Sequence, residues 1–278
     1  MLNMLEVNHL RVWDAKEGKE IIRDSSFRLK PQTCLAIVGE SGSGKSLTCR
    51  SIIRLHKPWI RQSGEILFKG ENLNQLTDKE MRRRRGKQIG MIMQNGMGAF
   101  DPSSVVGVHF QETLKAHFGW SKSQVETAMK KAMESVMLNH PIETMNKYPY
   151  QLSGGMLQRL MIALTLVLSP DIVIADEPTT ALDTISQYEV VEQFIQLRER
   201  MGGSMIFVSH DLGVVKKIAD EVLVMRNGVI VESGSVEEVL SAPRHPYTQH
   251  LVSTRLELSS HFNEIMRGEQ RAEGRERS

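Results

Sequence analysis

A glycine, four residues and then Gly-Lys-Ser make a spacing that binds phosphate, and Gly39-Glu40-Ser41-Gly42-Ser43-Gly44-Lys45-Ser46 has it. Gly39, Gly42 and Gly44 let the backbone curl until successive N–H groups point inward at phosphate oxygens. Lys45 then reaches the β- and γ-phosphates, and the Ser46 hydroxyl ligates Mg²⁺. Further on, the apolar run Ile172 to Ala175 delivers two carboxylates, Asp176 and Glu177, followed by Pro178. Asp176 is placed to hold Mg²⁺, and Glu177 to polarise a water attacking a γ-phosphate. A third apolar run, Met205 to Ser209, ends at His210, a further γ-phosphate contact. These types in this order imply a nucleoside triphosphate with Mg²⁺ and an activated water.

Such residues need a rigid sheet edge. Cys34 to Val38 reads as a short buried strand and Leu47 to Leu55 as a helix, so the glycine loop sits between strand and helix. Ile172 to Asp176 and Met205 to Ser209 read as further strands, whose carboxyl ends are where an open α/β sheet gathers its ligand. Before the loop, Leu5 to Trp13 and Ile21 to Leu29 alternate as half-buried strands, and Ser63 to Gly70 reads as a strand closed by turn residues. Ile89 to Met93 is a compact strand with Gln94 at its end. Val108 to Phe118 and Lys122 to Met137 read as helices, the second burying Val125, Met129, Ala132, Met133 and Val136 on one face. Asn227-Gly228 marks a hairpin between Val222–Met225 and Val229–Val231.

Two stretches carry two readings each. Ser153-Gly154-Gly155 before the apolar helix Leu157 to Leu168 is either a helix cap or a second nest of N–H groups for phosphate. Trp13 either stacks on an adenine ring or packs in the core. The run Arg82 to Arg85 reads as a solvated helix face.

Composition narrows the class. The chain has 278 residues, is 40% hydrophobic and carries a formal charge of +2, which argues against a nucleic-acid partner. Cys34 and Cys49, its only cysteines, fall in a strand and a helix without metal spacing and read as buried thiols. Met1 to Leu10 carries polar residues throughout and does not read as a secretory leader, and the longest apolar run, Leu160 to Leu168, is too short to span a bilayer. The spacing of His245 and His250 fits no helical metal pair. A soluble, cytoplasmic chain is expected.

Taken together, the chain resembles the ATP-binding subunit of ABC transporters over about residues 4 to 258. The most specific element is Leu152-Ser153-Gly154-Gly155-Met156-Leu157-Gln158-Arg159, which looks like that family's signature; Gln94, Thr180-Ala181-Leu182-Asp183 and His210 agree with it. The resemblance implies an α/β, RecA-like phosphate-loop core with an N-terminal antiparallel β subdomain and a helical subdomain inserted at about 95–154. It implies one ABC ATPase domain over 1–258 and a polar, disordered tail over 259–278. It also implies that Gln94 senses Mg²⁺ and touches a membrane partner, with Asp176 on the metal side, Glu177 as base and His210 as switch. Ser153, Gly154 and Gly155 would touch ATP held by an opposite subunit, and Asp183 would cross the interface between the two.

A finer resemblance points to the peptide/nickel importer branch, through residues 41–48, Ile92 to Asn95, Ala99 to Pro102, and Pro243-Arg244-His245-Pro246-Tyr247-Thr248. Met93-Gln94-Asn95 and Gly155 to Gln158 lean toward nickel importers. The implied assembly lies at the cytoplasmic face of the membrane, with a second ATPase subunit (two different ones being common in the branch), two permeases and an extracytoplasmic binding protein. The cargo would be nickel or a metal–chelator complex, the alternative a di- or oligopeptide. Non-transport ABC proteins are disfavoured by the single cassette and the lack of long coiled coils.

Overall fold

A computed structural model describes residues 3–180, 182 and 184–254. Strands β1 (Leu5–Asp14), β2 (Lys19–Leu29) and β3 (Cys34–Val38) open the chain, and helix α1 (Lys45–Ile52) follows the glycine loop. Next come β4 (Ile60–Phe68), the short β5 (Glu71–Asn72), α2 (Asp78–Arg84) and β6 (Ile89–Ile92). Helices α3 (Val106–Phe118), α4 (Lys122–Ser135) and α5 (Pro141–Met145) form a helical subdomain before α6 (Gly154–Leu168). The core resumes with β7 (Ile172–Asp176), α7 (Thr184–Met201), β8 (Ser204–Val208) and α8 (Leu212–Ile218). The hairpin β9 (Glu221–Arg226) and β10 (Val229–Ser235) leads to α9 (Val236–Ser241), and residues 246–254 are helical.

Two sheets result. The first is antiparallel, in the order β2-β1-β4-β5, and the second runs β10-β9-β3-β8-β7-β6. Every pairing in the second is parallel except β9 with β10. Strands β3, β7 and β8 are buried along their whole length, which is why they read as unbroken apolar runs. Alternation then sorts their side chains. Ile172, Ile174, Ile206 and Val208 pack with the antiparallel sheet and α1. Val173, Ala175, Met205 and Phe207 pack with the helices, Phe207 edge-on to Phe194 of α7 at 5.4 Å. Cys34 and Cys49 lie buried in this core, and burial pushes the Cys34 thiol up to about 12. Within the helical subdomain α4 buries Val125, Met129, Ala132 and Met133, and Ser121 with Gln124 closes a capping box at its start.

Two local expectations are corrected. Strand β4 begins at Ile60, so Gly64 lies inside it rather than at its boundary. There β1 bulges, with His9 at φ 51°, and a Cβ on Gly64 would stand 2.4 Å from the His9 carbonyl oxygen. The arginine run is likewise only half solvated. Arg82 and Arg83 are exposed, but Arg84 pairs with Glu71 and Gln88. Arg85 folds under α1 and donates to the carbonyls of Ile53 (2.8 Å) and Arg54 (2.9 Å), placing a cation at the negative end of the helix that carries Lys45.

Arg85→Ala is therefore expected to lower the free energy of unfolding in urea by about 2 kcal/mol, from two charge-assisted hydrogen bonds lost. Arg82→Ala and Arg83→Ala should each stay within about 0.5 kcal/mol of the parent. Equal effects at the three positions would remove the capping role.

Candidate active site

The parallel strands bring their carboxyl ends to one edge. The loop after β3, Glu177 after β7, His210 after β8 and Gln94 after β6 all lie along it. The loop is held from behind by the β9–β10 hairpin. Gly39 (φ 149°) passes so close to β9 that a Cβ would lie 2.2 Å from the Met225 carbonyl oxygen, and Gly228 donates its N–H to Ser43 O at 3.0 Å. Gly44, at φ 104°, starts α1 with no side-chain cap, so the first amides of that helix face the loop's hollow.

Two buried polar atoms in this hollow have no hydrogen-bond partner among the described residues: Ser43 Oγ and Asp176 Oδ2. Buried polar groups are otherwise almost always paired. One is a hydroxyl in the phosphate loop, the other a carboxylate oxygen beside it. Ser46 donates its hydroxyl to Asp176 Oδ1 at 2.6 Å, and the nearest cation to Oδ2 is the Arg50 guanidinium at 3.7 Å. Burial pushes the Asp176 carboxyl above its ordinary value, against the pull of the Ser46 hydroxyl and Arg50. An all-oxygen donor set with a spare buried charge fits a hard divalent cation, and a spare buried hydroxyl fits a phosphate oxygen.

Lys45, 4% exposed, donates to the carbonyls of Gly39 and Glu40, both at 2.9 Å, and stands 3.4 Å from Glu177 Oε1. Successive residues of a strand point to opposite faces. Asp176 and Glu177 nevertheless converge on neighbouring loop residues, Ser46 and Lys45. The reason is the backbone: Glu177 has φ 45°, the left-handed region that a non-glycine residue enters only at a cost. Its N–H to Val208 O (3.1 Å) keeps the turn on the β8 ladder. Around Oε2 gather Gln94 Nε2 at 3.3 Å, the Thr180 hydroxyl at 3.1 Å and His210 Nδ1 at 3.7 Å.

The structure thus brings Lys45, Ser46, Gln94, Asp176, Glu177 and His210 into one cluster. Ser153 does something else. Its hydroxyl accepts the Met156 N–H as the cap of α6, Gly155 packs on Ser186, and no recorded bond among the described residues joins residues 153–155 to the loop. Trp13 is partly buried, opposite Glu20 of β2 and Arg61 of β4, while Ile22 of the same β2 lies against Gly44. Asp183 and the tail beyond residue 254 lie outside the described residues.

Sequence reasoning missed Arg50, whose charge reaches Asp176 only through the fold, and placed Gln158 in the signature without its contact. The buried Gln158 side chain donates to Met93 O at 3.3 Å and so ties α6 to the Gln94 loop. Gly96 in that loop packs directly on Leu157.

Residues 22–180 match the family model described as ABC transporter. The metal-staphylopine import system ATP-binding protein CntD of Staphylococcus aureus (strain NCTC 8325 / PS 47) is 46% identical over 268 residues, 96% of this chain and 99% of that one. The oligopeptide transport ATP-binding protein OppD of Bacillus subtilis (strain 168) is 43% identical over 261 residues, 92% of this chain and 73% of that one. Among solved structures, cbiO1 of Clostridium perfringens, part of the ABC transporter complex cbiONQ, superposes with a TM-score of 0.71 at 25% identity, covering 95% of this chain and all of that one.

The buried charge yields a prediction. A carboxyl raised in the folded state adds full stability only below its unfolded pKa, and that contribution is lost as pH rises through the folded value. At neutral pH Asp176→Asn should therefore raise the melting temperature of the nucleotide-free chain by a few degrees. An unchanged or lower melting temperature contradicts a net cost for the buried charge.

Proposed function

The chain belongs to the ABC transporter family as the ATP-binding, ATP-hydrolysing subunit of an importer, and from that premise we propose that the cargo it powers is nickel or a metal–chelator complex. The observation that carries this reading is the match to the metal-staphylopine import ATP-binding protein along almost the whole of both chains. A di- or oligopeptide cargo is the second reading, supported by the similarity to the oligopeptide transport protein.

In this account the loop amides, Lys45 and the Ser43 hydroxyl hold the phosphates, and Trp13 stacks on the adenine. Ser46 and Asp176, with Gln94, would hold Mg²⁺, which would offset negative charge on the phosphates. Phosphoryl transfer asks the protein mainly for positioning and charge. Glu177, turned toward Lys45 and flanked by Gln94 and His210, orients a water and takes its proton. The water oxygen bonds to the γ-phosphorus as the bond to the leaving ADP oxygen breaks.

Ser153, Gly154 and Gly155 cover the γ-phosphate bound to a second, related ATPase subunit, whose own signature segment covers this one. The two subunits close on ATP and reopen after hydrolysis. The helical subdomain at about 95–154, with Gln94 at its base, passes that motion to two permeases at the cytoplasmic face of the membrane. No helix of the described residues is long and apolar enough to cross the membrane itself. An extracytoplasmic binding protein delivers the cargo.

Glu177→Gln should retain ATP binding and lower turnover about 100-fold or more. In a strain lacking this chain, uptake of labelled nickel, free and with a chelator, should fall to background, and the Glu177→Gln variant should not restore it. Robust turnover by that variant removes the assigned base. Loss of labelled dipeptide uptake with nickel uptake intact selects the peptide reading.

A further inference from the structure

Residues 243–252 lie beyond the matched family region, yet they reach back to the phosphate loop. The Glu40 N–H donates to the Tyr247 hydroxyl at 2.9 Å, across 207 residues of chain. Tyr247 is 5% exposed, and its ring lies under the Arg226 guanidinium at 4.8 Å. Arg226 follows Met225, whose carbonyl closes on Gly39.

The segment that presents Tyr247 is itself pinned. Glu232 of β10 accepts the N–H groups of Arg244 (2.8 Å) and His245 (3.0 Å), and His245 Nδ1 accepts the Tyr247 N–H at 3.1 Å. That bond gives the histidine of Arg244-His245-Pro246-Tyr247 a structural task. Tyr247, Leu251 and Val252 are then buried against Ala36 and Val38 of β3, the strand that carries the loop.

The bonding has a consequence for one peptide unit. The carbonyl of Gly39 and the N–H of Glu40 belong to the same planar, trans peptide, so they point in opposite directions. Lys45 Nζ donates to that carbonyl at 2.9 Å, and the Tyr247 hydroxyl accepts that N–H at 2.9 Å. The unit is held at both ends. Without the hydroxyl, this peptide next to a glycine is held at its carbonyl end alone, rotates more readily and carries the Lys45 anchor with it. A loop held in its binding conformation beforehand loses less freedom when its ligand arrives.

We propose that Tyr247 is a positioning residue of the nucleotide site, clamping the Gly39–Glu40 peptide from outside so that the phosphate loop and Lys45 are preorganised for the nucleotide phosphates. The inference rests on the reading of residues 39–46 as that phosphate site.

The test is Tyr247→Phe in the full-length chain, which keeps the ring and removes the hydroxyl. The Kd for ADP and ATP is expected to rise about three- to tenfold, as the loss of one preorganising hydrogen bond implies. In the assembled transporter KM should rise by a similar factor, with kcat within about twofold of the parent. Amide hydrogen exchange should show Glu40 protected in the nucleotide-free parent and exchanging at least about tenfold faster in the variant, at unchanged global stability. Unchanged Kd and exchange in the variant overturn the proposal, as does an unprotected Glu40 amide in the parent whatever the variant does. A parent that binds no ADP overturns the phosphate-site reading, and the proposal with it.

Discussion

Glu177 leaves β7 with φ 45°, and the proposed chemistry depends on that turn. An extended backbone would send adjacent carboxylates to opposite faces of the sheet. Here both reach the same loop, Asp176 through Ser46 and Glu177 through Lys45. A left-handed non-glycine residue is held against its preference by its surroundings. The Val208 carbonyl holds its N–H, and Thr180, Gln94 and Lys45 surround its carboxylate. The strained residue is the one assigned to the water.

The rest of the fold supplies a frame stiff enough to keep that geometry. Parallel strands buried on both faces place the loop, the two carboxylates, His210 and Gln94 along a single edge. The phosphate loop, rich in glycine, also borrows rigidity from outside. The β9–β10 hairpin meets it at Gly39 and Ser43, and Tyr247 meets it at Glu40. Arg85 steadies the far end of the helix that leaves it. Among the described residues the cluster keeps a buried carboxylate oxygen and a buried hydroxyl without hydrogen-bond partners, costs that a bound cation and phosphate would offset.

Most of this was legible in the sequence for a physical reason. Strands buried on both faces write themselves as unbroken apolar runs, and a phosphate loop demands glycine, lysine and serine at fixed spacing. Lys45, Ser46, Asp176, Glu177 and His210 are legible that way and Gln94 through the family resemblance, and the structure brings them together. What stayed hidden depends on neighbours far along the chain. Nothing near Arg85 announces that it caps α1, and nothing near Gly64 announces the bulge at His9 across the sheet. Arg50 and Tyr247 matter only because the fold sets them beside Asp176 and Glu40. The role of Ser153 is hidden for a different reason. Within one chain its hydroxyl caps α6, and its proposed ligand is held by another subunit.

The proposed division of labour is that one chain holds the phosphates and a second chain's signature segment completes the site. The most direct test is Ser153→Arg in the assembled transporter, with ATP binding and hydrolysis measured on the same preparation. ATP should bind at this chain's own loop with near-parental affinity, while hydrolysis of the ATP held by the second subunit, which residues 153–155 would cover, falls about 100-fold or more. Hydrolysis there at the parental rate would contradict it, because the loop and carboxylates of one chain would then suffice.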